Sequence, residues 1–237
     1  ILSLLPPKRQ NLVFSATKPE SILQLVHKIL RDPVMVQIGQ RSSPAAGIRH
    51  AVYPVPRHLK ADLLAELLRG QGMSSVLVFT RTKHFADRLA QQLTRRGFTV
   101  SVMHGDRSQS QRLRALDQFR RGRNQVMVAT DIAARGIDIE DISHVINYDI
   151  PHTPEDYVHR IGRTARVDAT GDAFSLVDHD EEPMVKDIEQ ALNRTLPRVT
   201  LPNFDYKKGG GTPRPHDQHR PGSRRHRPGP PRHGQHR

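Results

Sequence analysis

The alternation of apolar and amphipathic segments most constrains the fold of this chain. Between residues 48 and 192, short runs rich in Val and Ile alternate with segments in which apolar residues recur every three or four positions. The run Val76–Phe79 is apolar throughout, as expected for a strand buried on both faces of a sheet. Thr153 followed by Pro154 is typical of a helix start, and Gly97 of a helix end. This pattern predicts an α/β fold with a mainly parallel sheet flanked by helices.

The first 47 residues carry a similar pattern that ends in a linker. Residues 12–14 and 34–38 are short apolar runs that predict strands, and between them Pro19 opens a helical pattern. Residues 39–47, GQRSSPAAG, have no apolar periodicity and predict a linker. Because the chain does not begin with Met, we expect that a natural N-terminal part precedes it.

Most of the positive charge is concentrated at the C-terminal end. The chain has 37 Lys and Arg against 24 Asp and Glu, and residues 207–237 alone carry nine basic residues and one Asp. This stretch also has six Gly, six Pro and no aromatic or large aliphatic residue, so it cannot bury enough apolar surface to offset its ordering entropy. We predict a disordered basic tail, and the charge indicates a polyanionic partner, most simply nucleic acid.

Several classes of protein are excluded by what the sequence lacks. Without Cys there is no disulfide framework, Cys-ligated zinc site or catalytic thiol. No apolar run approaches the roughly 20 residues that cross a bilayer, so we expect no membrane partner. No G-x-x-x-x-G-K-[ST] loop is present, so the chain cannot cradle a triphosphate in that manner by itself. The acidic residues at 178–182 follow a strand-like run, but we interpret them as charges that favour a helix N-terminus, and we predict no metal site.

Charged and polar residues follow several predicted strands, which is where open parallel sheets bind ligands. Residues 157–166, YVHRIGRTAR, place Arg160, Arg163 and Arg166 at intervals of three, and Gly162 is expected to end a helix between the first two. The planar fork of Arg suits phosphate oxygens. The alternative is a solvated basic helix face.

A second segment, ATDIAARGIDI at residues 129–139, directly follows a predicted strand. Its Thr130 hydroxyl and backbone N–H groups can bind a phosphodiester, and its carboxylates can accept hydrogen bonds from ribose hydroxyls. The alternative is a loop whose Asp residues cap a turn. Three weaker segments are His104-Gly105-Asp106, FTRTK at residues 79–83 and Ser15-Ala16-Thr17, each of which also suits an ordinary helix cap.

Taken together and in this order, the segments resemble motifs of the DEAD-box RNA helicases of helicase superfamily 2. SAT at residues 15–17 resembles motif III, VFTRTK at 78–83 motif IV, ATDIAARGID at 129–138 motif V, and HRIGRTAR at 159–166 motif VI. The resemblance extends over about residues 9–206. It is greatest to the bacterial RhlE-type subgroup, on VLVFTRTK, YVHRIGRTAR and DIEQALNRTLPRVTLPNF at 187–204.

The resemblance implies two RecA-like domains, with ATP in the cleft between them and RNA across both. Residues 1–38 would be the C-terminal remnant of the first domain, 39–47 the interdomain linker, 48–206 the second RecA-like domain and 207–237 the basic tail. The P-loop and the Asp-Glu-Ala-Asp box would lie in the N-terminal RecA-like domain, which would also hold most of the Mg²⁺ coordination.

The resemblance also implies roles by motif position. Arg163 and Arg166 resemble arginine fingers that reach the γ-phosphate. The ATP-contacting residues would be Arg135, Gly136 and Asp138. The RNA-binding residues would be Lys83, Gly105, Asp106 and Thr130. The residues that couple domain closure to RNA distortion would be Ser15, Thr17, His159 and Arg160.

The implied function is that of a cytoplasmic ATP-dependent RNA helicase, which couples ATP binding and hydrolysis to local duplex unwinding or remodelling of RNA–protein complexes. Its contacts would be with the RNA backbone, with little sequence preference. Without the P-loop domain, we expect the chain by itself to be inactive. Two alternatives are an RNA-binding module without turnover and a DNA-acting helicase of superfamily 2.

Overall fold

The computed structural model describes residues 4–6, 8–15, 20–36, 47–134, 142–164 and 171–209. Within these residues the strands are β1 (Ile48–Pro54), β2 (Val76–Phe79), β3 (Val100–Met103), β4 (Val126–Ala129), β5 (His144–Asn147) and β6 (Gly171–Val177). The α-helices are α1 (Glu20–Ile29), α2 (Lys60–Leu68), α3 (Lys83–Arg95), α4 (Gln109–Arg120), α5 (Asp131–Ala134), α6 (Pro154–Ile161) and α7 (Glu182–Leu192). Short 3₁₀ turns precede α2 and α7.

The six strands form one sheet in the order β1-β6-β5-β2-β4-β3, and every neighbouring pair is parallel. The predicted α/β fold with a mainly parallel sheet flanked by helices is confirmed. Because all strands run the same way, their carboxyl ends meet at one edge of the sheet. The segments that follow the strands therefore share that edge.

Helices cover both faces of the sheet, and strand alternation decides which side chains meet which helix. In β4, Val126 and Val128 belong to the core cluster that contains the inward residues of α2 and α3. Met127 and Ala129 belong to the cluster that contains Phe119 of α4. Helices α3 and α4 thus lie on opposite faces beside the edge strand β3.

A third cluster packs α6 and α7 against β1 and β6, and it encloses a polar pair. The Nδ1 atom of His50 lies 3.0 Å from the Tyr157 hydroxyl, and both side chains are buried. Burial, and to a smaller extent the charge of Arg194, lowers the pKa of His50. Burial also lowers the pKa of His144.

These histidines predict an acid-sensitive fold. Because the native state disfavours their charged forms, the unfolded chain binds more protons, so the free energy of unfolding should fall as the pH drops below about 6.5. Urea denaturation on both sides of that pH measures the fall. In a His50→Asn variant, the free energy of unfolding should fall less over the same pH range. The fall that remains would come from His144. An equal loss in the variant and the wild type would contradict this role of His50.

The predicted strands near the N-terminus are wrong where the structure describes them. Residues 11–15 and 33–36 are irregular, although helix α1 forms between them as predicted. A strand needs a neighbour that satisfies its backbone hydrogen-bonding groups, and all six strands of the sheet lie between residues 48 and 177. Residues 37–46, which include most of the predicted linker, lie outside the described residues.

The chain divides by its contacts into two units, Ile1–Tyr206 and Lys207–Arg237. In the second unit the structure describes residues 207–209, which form a turn, and the rest of the predicted basic tail lies outside the described residues. None of the helices in the described part has the length and apolar character that a membrane span requires.

Candidate functional site at the strand ends

The carboxyl ends of four neighbouring strands are joined laterally by backbone hydrogen bonds. The Thr80 amide donates to Ala129, the Thr130 amide to Met103, and the Tyr148 amide to Phe79. These bonds connect the carboxyl ends of β2, β3, β4 and β5. The structure therefore brings FTRTK, His104-Gly105-Asp106 and the start of ATDIAARGIDI together at one edge, as the strand-end argument predicts.

Lys83 and Asp106 form an exposed ion pair at this edge. Lys83 begins α3, after Thr82 caps the helix by accepting a hydrogen bond from the Phe85 amide. Its Nζ atom lies 2.7 Å from Asp106 Oδ2. The hydrogen bond from Lys83 is the main cause of a lowered pKa of Asp106. Gly105, next to this pair, is exposed. Three of the four predicted RNA-binding residues thus lie together.

Asp87, on the second turn of α3, anchors the adjacent loop. Its Oδ1 atom lies 3.2 Å from Nε2 of the buried His104, and Arg107 also donates to it. Burial would raise the pKa of Asp87, but His104 and Arg107 together lower it. We did not select Asp87 from the sequence. Its position one helical turn after Lys83, facing the same loop, is the signal that could have identified it.

Arg160 is the centre of a buried polar network. Its guanidinium makes a bidentate contact with Asp131, through Nε at 2.6 Å and Nη2 at 2.8 Å. Its Nη1 donates to Asn147 Oδ1 at 3.0 Å and to the Asp149 carbonyl at 2.7 Å. It also lies 5.0 Å over the ring of Phe79. The alternative of a solvated basic helix face is therefore wrong for Arg160, which is 3% exposed.

The helix that carries Arg160 ends where the sequence predicts. Helix α6 stops before Gly162, and a Cβ atom at that glycine would lie 3.1 Å from the Val158 carbonyl oxygen. Arg163 then lies on a turn, half-buried, with Nε 3.4 Å from the His159 carbonyl. The next residue, Thr164, is buried and donates to the Ile142 carbonyl at 2.6 Å. Arg160 and Arg163 therefore have different environments, the first internal and the second at the turn.

Comparison with known proteins shows which family this chain resembles. The profile of the helicase conserved C-terminal domain matches residues 59–168. The DEAD-box ATP-dependent RNA helicase CshA of Bacillus licheniformis is 40% identical over 205 residues, which cover 86% of this chain and 42% of CshA. RNA helicase CrhR of Synechocystis sp. is 42% identical over 204 residues, which cover 86% of this chain and 42% of CrhR.

Solved structures of DEAD-box proteins also match this chain. Saccharomyces cerevisiae Dbp5 bound to RNA and ADP BeF3 has a TM-score of 0.75 and 33% identity, covering 84% of this chain and 53% of that chain. The C-terminal domain of the DEAD-box protein Dbp5 has a TM-score of 0.61 and 35% identity, covering 65% of this chain and 91% of that domain.

The chain belongs to the DEAD-box family. It corresponds to a DEAD-box C-terminal half, and its sheet is the RecA-like fold of that half. The chain spans less than half the length of the curated DEAD-box relatives named above.

Several residues that the DEAD-box resemblance singled out cannot be placed. The predicted ATP-contacting residues, Arg166 and Thr17 lie outside the described residues. Ser15 is described and is exposed in the irregular segment 8–15. Among the residues that are described, no group of three or more His, Cys, Asp or Glu side chains could hold a metal ion.

The acidic segment that follows β6 has a structural role in this DEAD-box half. Asp178 caps the 3₁₀ turn, as the helix-terminus interpretation predicts. Glu181 is buried against the ammonium group of Lys60, which also donates to the Tyr148 carbonyl at 3.1 Å. Arg81, just after β2, lies 3.6 Å from Glu181 Oε1. This buried ion pair, which no sequence motif predicts, joins α2 to the segments that follow β5 and β6.

Proposed function

We propose that this chain is the C-terminal half of a cytoplasmic ATP-dependent RNA helicase of the DEAD-box family and RhlE-type subgroup. The whole protein would couple ATP binding and hydrolysis to local RNA unwinding or remodelling of RNA–protein complexes. The observation that carries the proposal is the convergence of the Lys83–Asp106 pair, Thr130 and the Arg160 network at one sheet edge.

RNA is the partner that suits this edge. Lys83 is an exposed cation at a helix N-terminus, and the adjacent Gly105 leaves the backbone accessible. Together with Thr130 they provide a cation, a hydroxyl and backbone amide groups, which are the groups that contact phosphates. Such contacts carry no base information, so we expect little sequence preference. The relative with a TM-score of 0.75 is itself bound to RNA.

The arginines of the α6 turn support a nucleotide site. Arg160 uses its guanidinium donors on Asp131, Asn147 and Asp149, so it is a positioning residue for the turn. Arg163 lies on that turn and presents a cationic fork of the kind that suits a phosphate.

A bound ATP would supply the phosphoryl group, with Mg²⁺ neutralising its charge and held mainly by the N-terminal domain. On this chain we assign Arg163 and Arg166 to the γ-phosphate. We assign Arg135, Gly136 and Asp138 to the rest of the nucleotide, and Ser15, Thr17 and His159 to coupling.

The N-terminal segment supports a partner domain. Leu4, Phe14 and Val34 are 86%, 89% and 90% exposed, and Leu12 and Val36 are 69% and 77% exposed. Large apolar side chains exposed in such number are typical of a surface that other residues cover. We propose that the rest of the first RecA-like domain, of which residues 1–38 would be the C-terminal part, covers them.

Hydrolysis assays test the proposal. We expect RNA-stimulated ATP hydrolysis by the full-length protein and none above buffer by residues 1–237, because arginine fingers without a phosphate cradle have no substrate to stabilise. RNA binding without stimulated hydrolysis in the full-length protein would favour the binding-module alternative. Equal stimulation by single-stranded DNA would favour a DNA-acting enzyme. Turnover by residues 1–237 would contradict the assignment of the P-loop to another domain.

The basic tail provides a separate prediction. Residues 207–237 carry nine Lys or Arg, and each phosphate that they neutralise should change the slope of log K against log salt by about 0.7 for single strands. If four to six of them engage RNA, deleting the tail should flatten the slope by about 3–4 units. Filter binding at several salt concentrations, with and without the tail, measures this. Identical slopes would show that the tail does not contact RNA.

A further inference from the structure

Charge is segregated along the sheet of this domain. Residues 82–124, here called the basic end, contain β3, α3 and α4 and carry ten Lys or Arg against three Asp. The other described residues between 47 and 206 carry ten Lys or Arg against fourteen Asp or Glu. The net charge is +7 for the basic end and −4 for the rest of the described domain, so the two parts have opposite charge. Such a separation creates a directed field around the β3 end of the sheet.

The carboxylates of the basic end are already engaged. Asp87 is held by His104 and Arg107, Asp106 by Lys83, and Asp117 by Arg121. These carboxylates leave four exposed arginines of the basic end unpaired: Arg88 and Arg95 on α3, Arg114 on α4, and Arg123 just after α4.

These arginines extend away from the strand ends. Helices α3 and α4 both begin at the carboxyl edge, beside the Lys83–Asp106 pair, and both run back along β3 on opposite faces of the sheet. At a rise of about 1.5 Å per residue, the twelve residues of α4 cover about 18 Å. Arg88 and Arg95 are two helical turns apart on one exposed stripe of α3. The arginines therefore lie in two rows, one on each face of the sheet, on helices that both begin at the edge to which RNA is assigned.

The composition of this surface favours a polyphosphate over a protein. Leu113, 56% exposed, is the one large apolar side chain exposed within residues 82–124, all of which the structure describes. A protein interface of ordinary size needs a buried apolar or aromatic centre. Phosphates need only cations, and Arg is the residue best suited to them.

We propose that the basic end is a second RNA-binding surface, which holds the stretch of RNA that continues past the strand ends. The inference rests on the proposed function, since it extends the path of the same RNA. The outward arginines of α3 and α4 would then increase the affinity for RNA and the dependence of RNA binding on salt. They would take no part in ATP hydrolysis.

The test compares two triple variants of the full-length protein. In the first, Arg88→Gln, Arg95→Gln and Arg114→Gln remove three charges from the basic end. In the matched control, Arg69→Gln, Lys186→Gln and Arg194→Gln remove three exposed charges from elsewhere on the domain. Binding is measured by fluorescence anisotropy over a range of salt concentrations.

Each protein is measured with two single-stranded RNAs. One has about 8 nucleotides, an ordinary site size for a single-strand groove, and the other is several times longer. For the longer RNA, the first variant should flatten the slope of log K against log salt by about 2. The control should match the wild type, and the short RNA should bind all three proteins alike.

Other outcomes separate this inference from the proposed function. Equal slopes for the first variant and the wild type on the longer RNA would overturn the second surface and favour another partner, such as an acidic protein. Equal flattening in both variants would also overturn it, because the effect would then be one of net charge alone. RNA-stimulated hydrolysis with saturating short RNA should survive in the first variant. Its absence from the wild type would contradict the proposed function instead.

Discussion

An Arg163→Ala change in the full-length protein is expected to lower kcat by roughly 10³–10⁵-fold, while RNA affinity without nucleotide changes little. The structure provides the reason for choosing this arginine. Arg160 has its guanidinium bound inside the domain, whereas Arg163 lies on the turn after Gly162. An arginine that meets the transferring phosphoryl group acts in the transition state, so its loss should appear in kcat. The same change at Arg166 should have a similar effect.

Arg69→Ala is the matched control, since it removes an exposed arginine that pairs with Glu66, three residues earlier, and contacts the Phe98 ring. That variant should hydrolyse ATP at the wild-type rate. Steady-state hydrolysis at saturating RNA and ATP measures both proteins. Near-normal turnover of Arg163→Ala would mean that the turn is a solvated basic surface, and the arginine-finger assignment would be wrong.

The sheet could be predicted because its signals are local. The run Val76–Phe79 is apolar at every position, and Thr153 with Pro154 marks the start of a helix without any distant information. The runs at residues 12–14 and 34–36 carry the same local signal and yet are irregular. An apolar run becomes a strand only beside another strand, and sequence periodicity does not reveal whether that neighbour is available.

The candidate site could be predicted in its location but not in its pairings. Strand ends of a parallel sheet must meet at one edge, so Lys83, Asp106 and Thr130 could be grouped from the sequence. The contact between Arg160 and Asp131 joins residues 29 positions apart, and that between Lys60 and Glu181 joins residues 121 apart. Such pairs depend on which strands are neighbours, and no local sequence pattern specifies the order of the strands in the sheet.

The second large effect is expected on stability. An Arg160→Ala change should lower the free energy of unfolding by about 3 kcal/mol, the lower end of the usual cost of removing one partner from a buried ion pair, because the Asp131 side chain is 34% exposed. It would leave the Asn147 side chain and the Asp149 carbonyl without their donor, and Asp131 without its counter-charge. Urea denaturation of the 237-residue chain measures the loss.

Two further variants separate geometry from charge in this network. Arg160→Lys keeps the positive charge but cannot make the bidentate contact with Asp131, because an ammonium group is a point donor. It should therefore recover only part of the stability. Arg163→Ala, three residues on, removes a half-buried arginine from a turn and should cost much less than Arg160→Ala. If Arg160→Ala unfolds at the same urea concentration as the wild type, the network is not what holds α6 against the strand ends. The turn that carries Arg163 would then need another support.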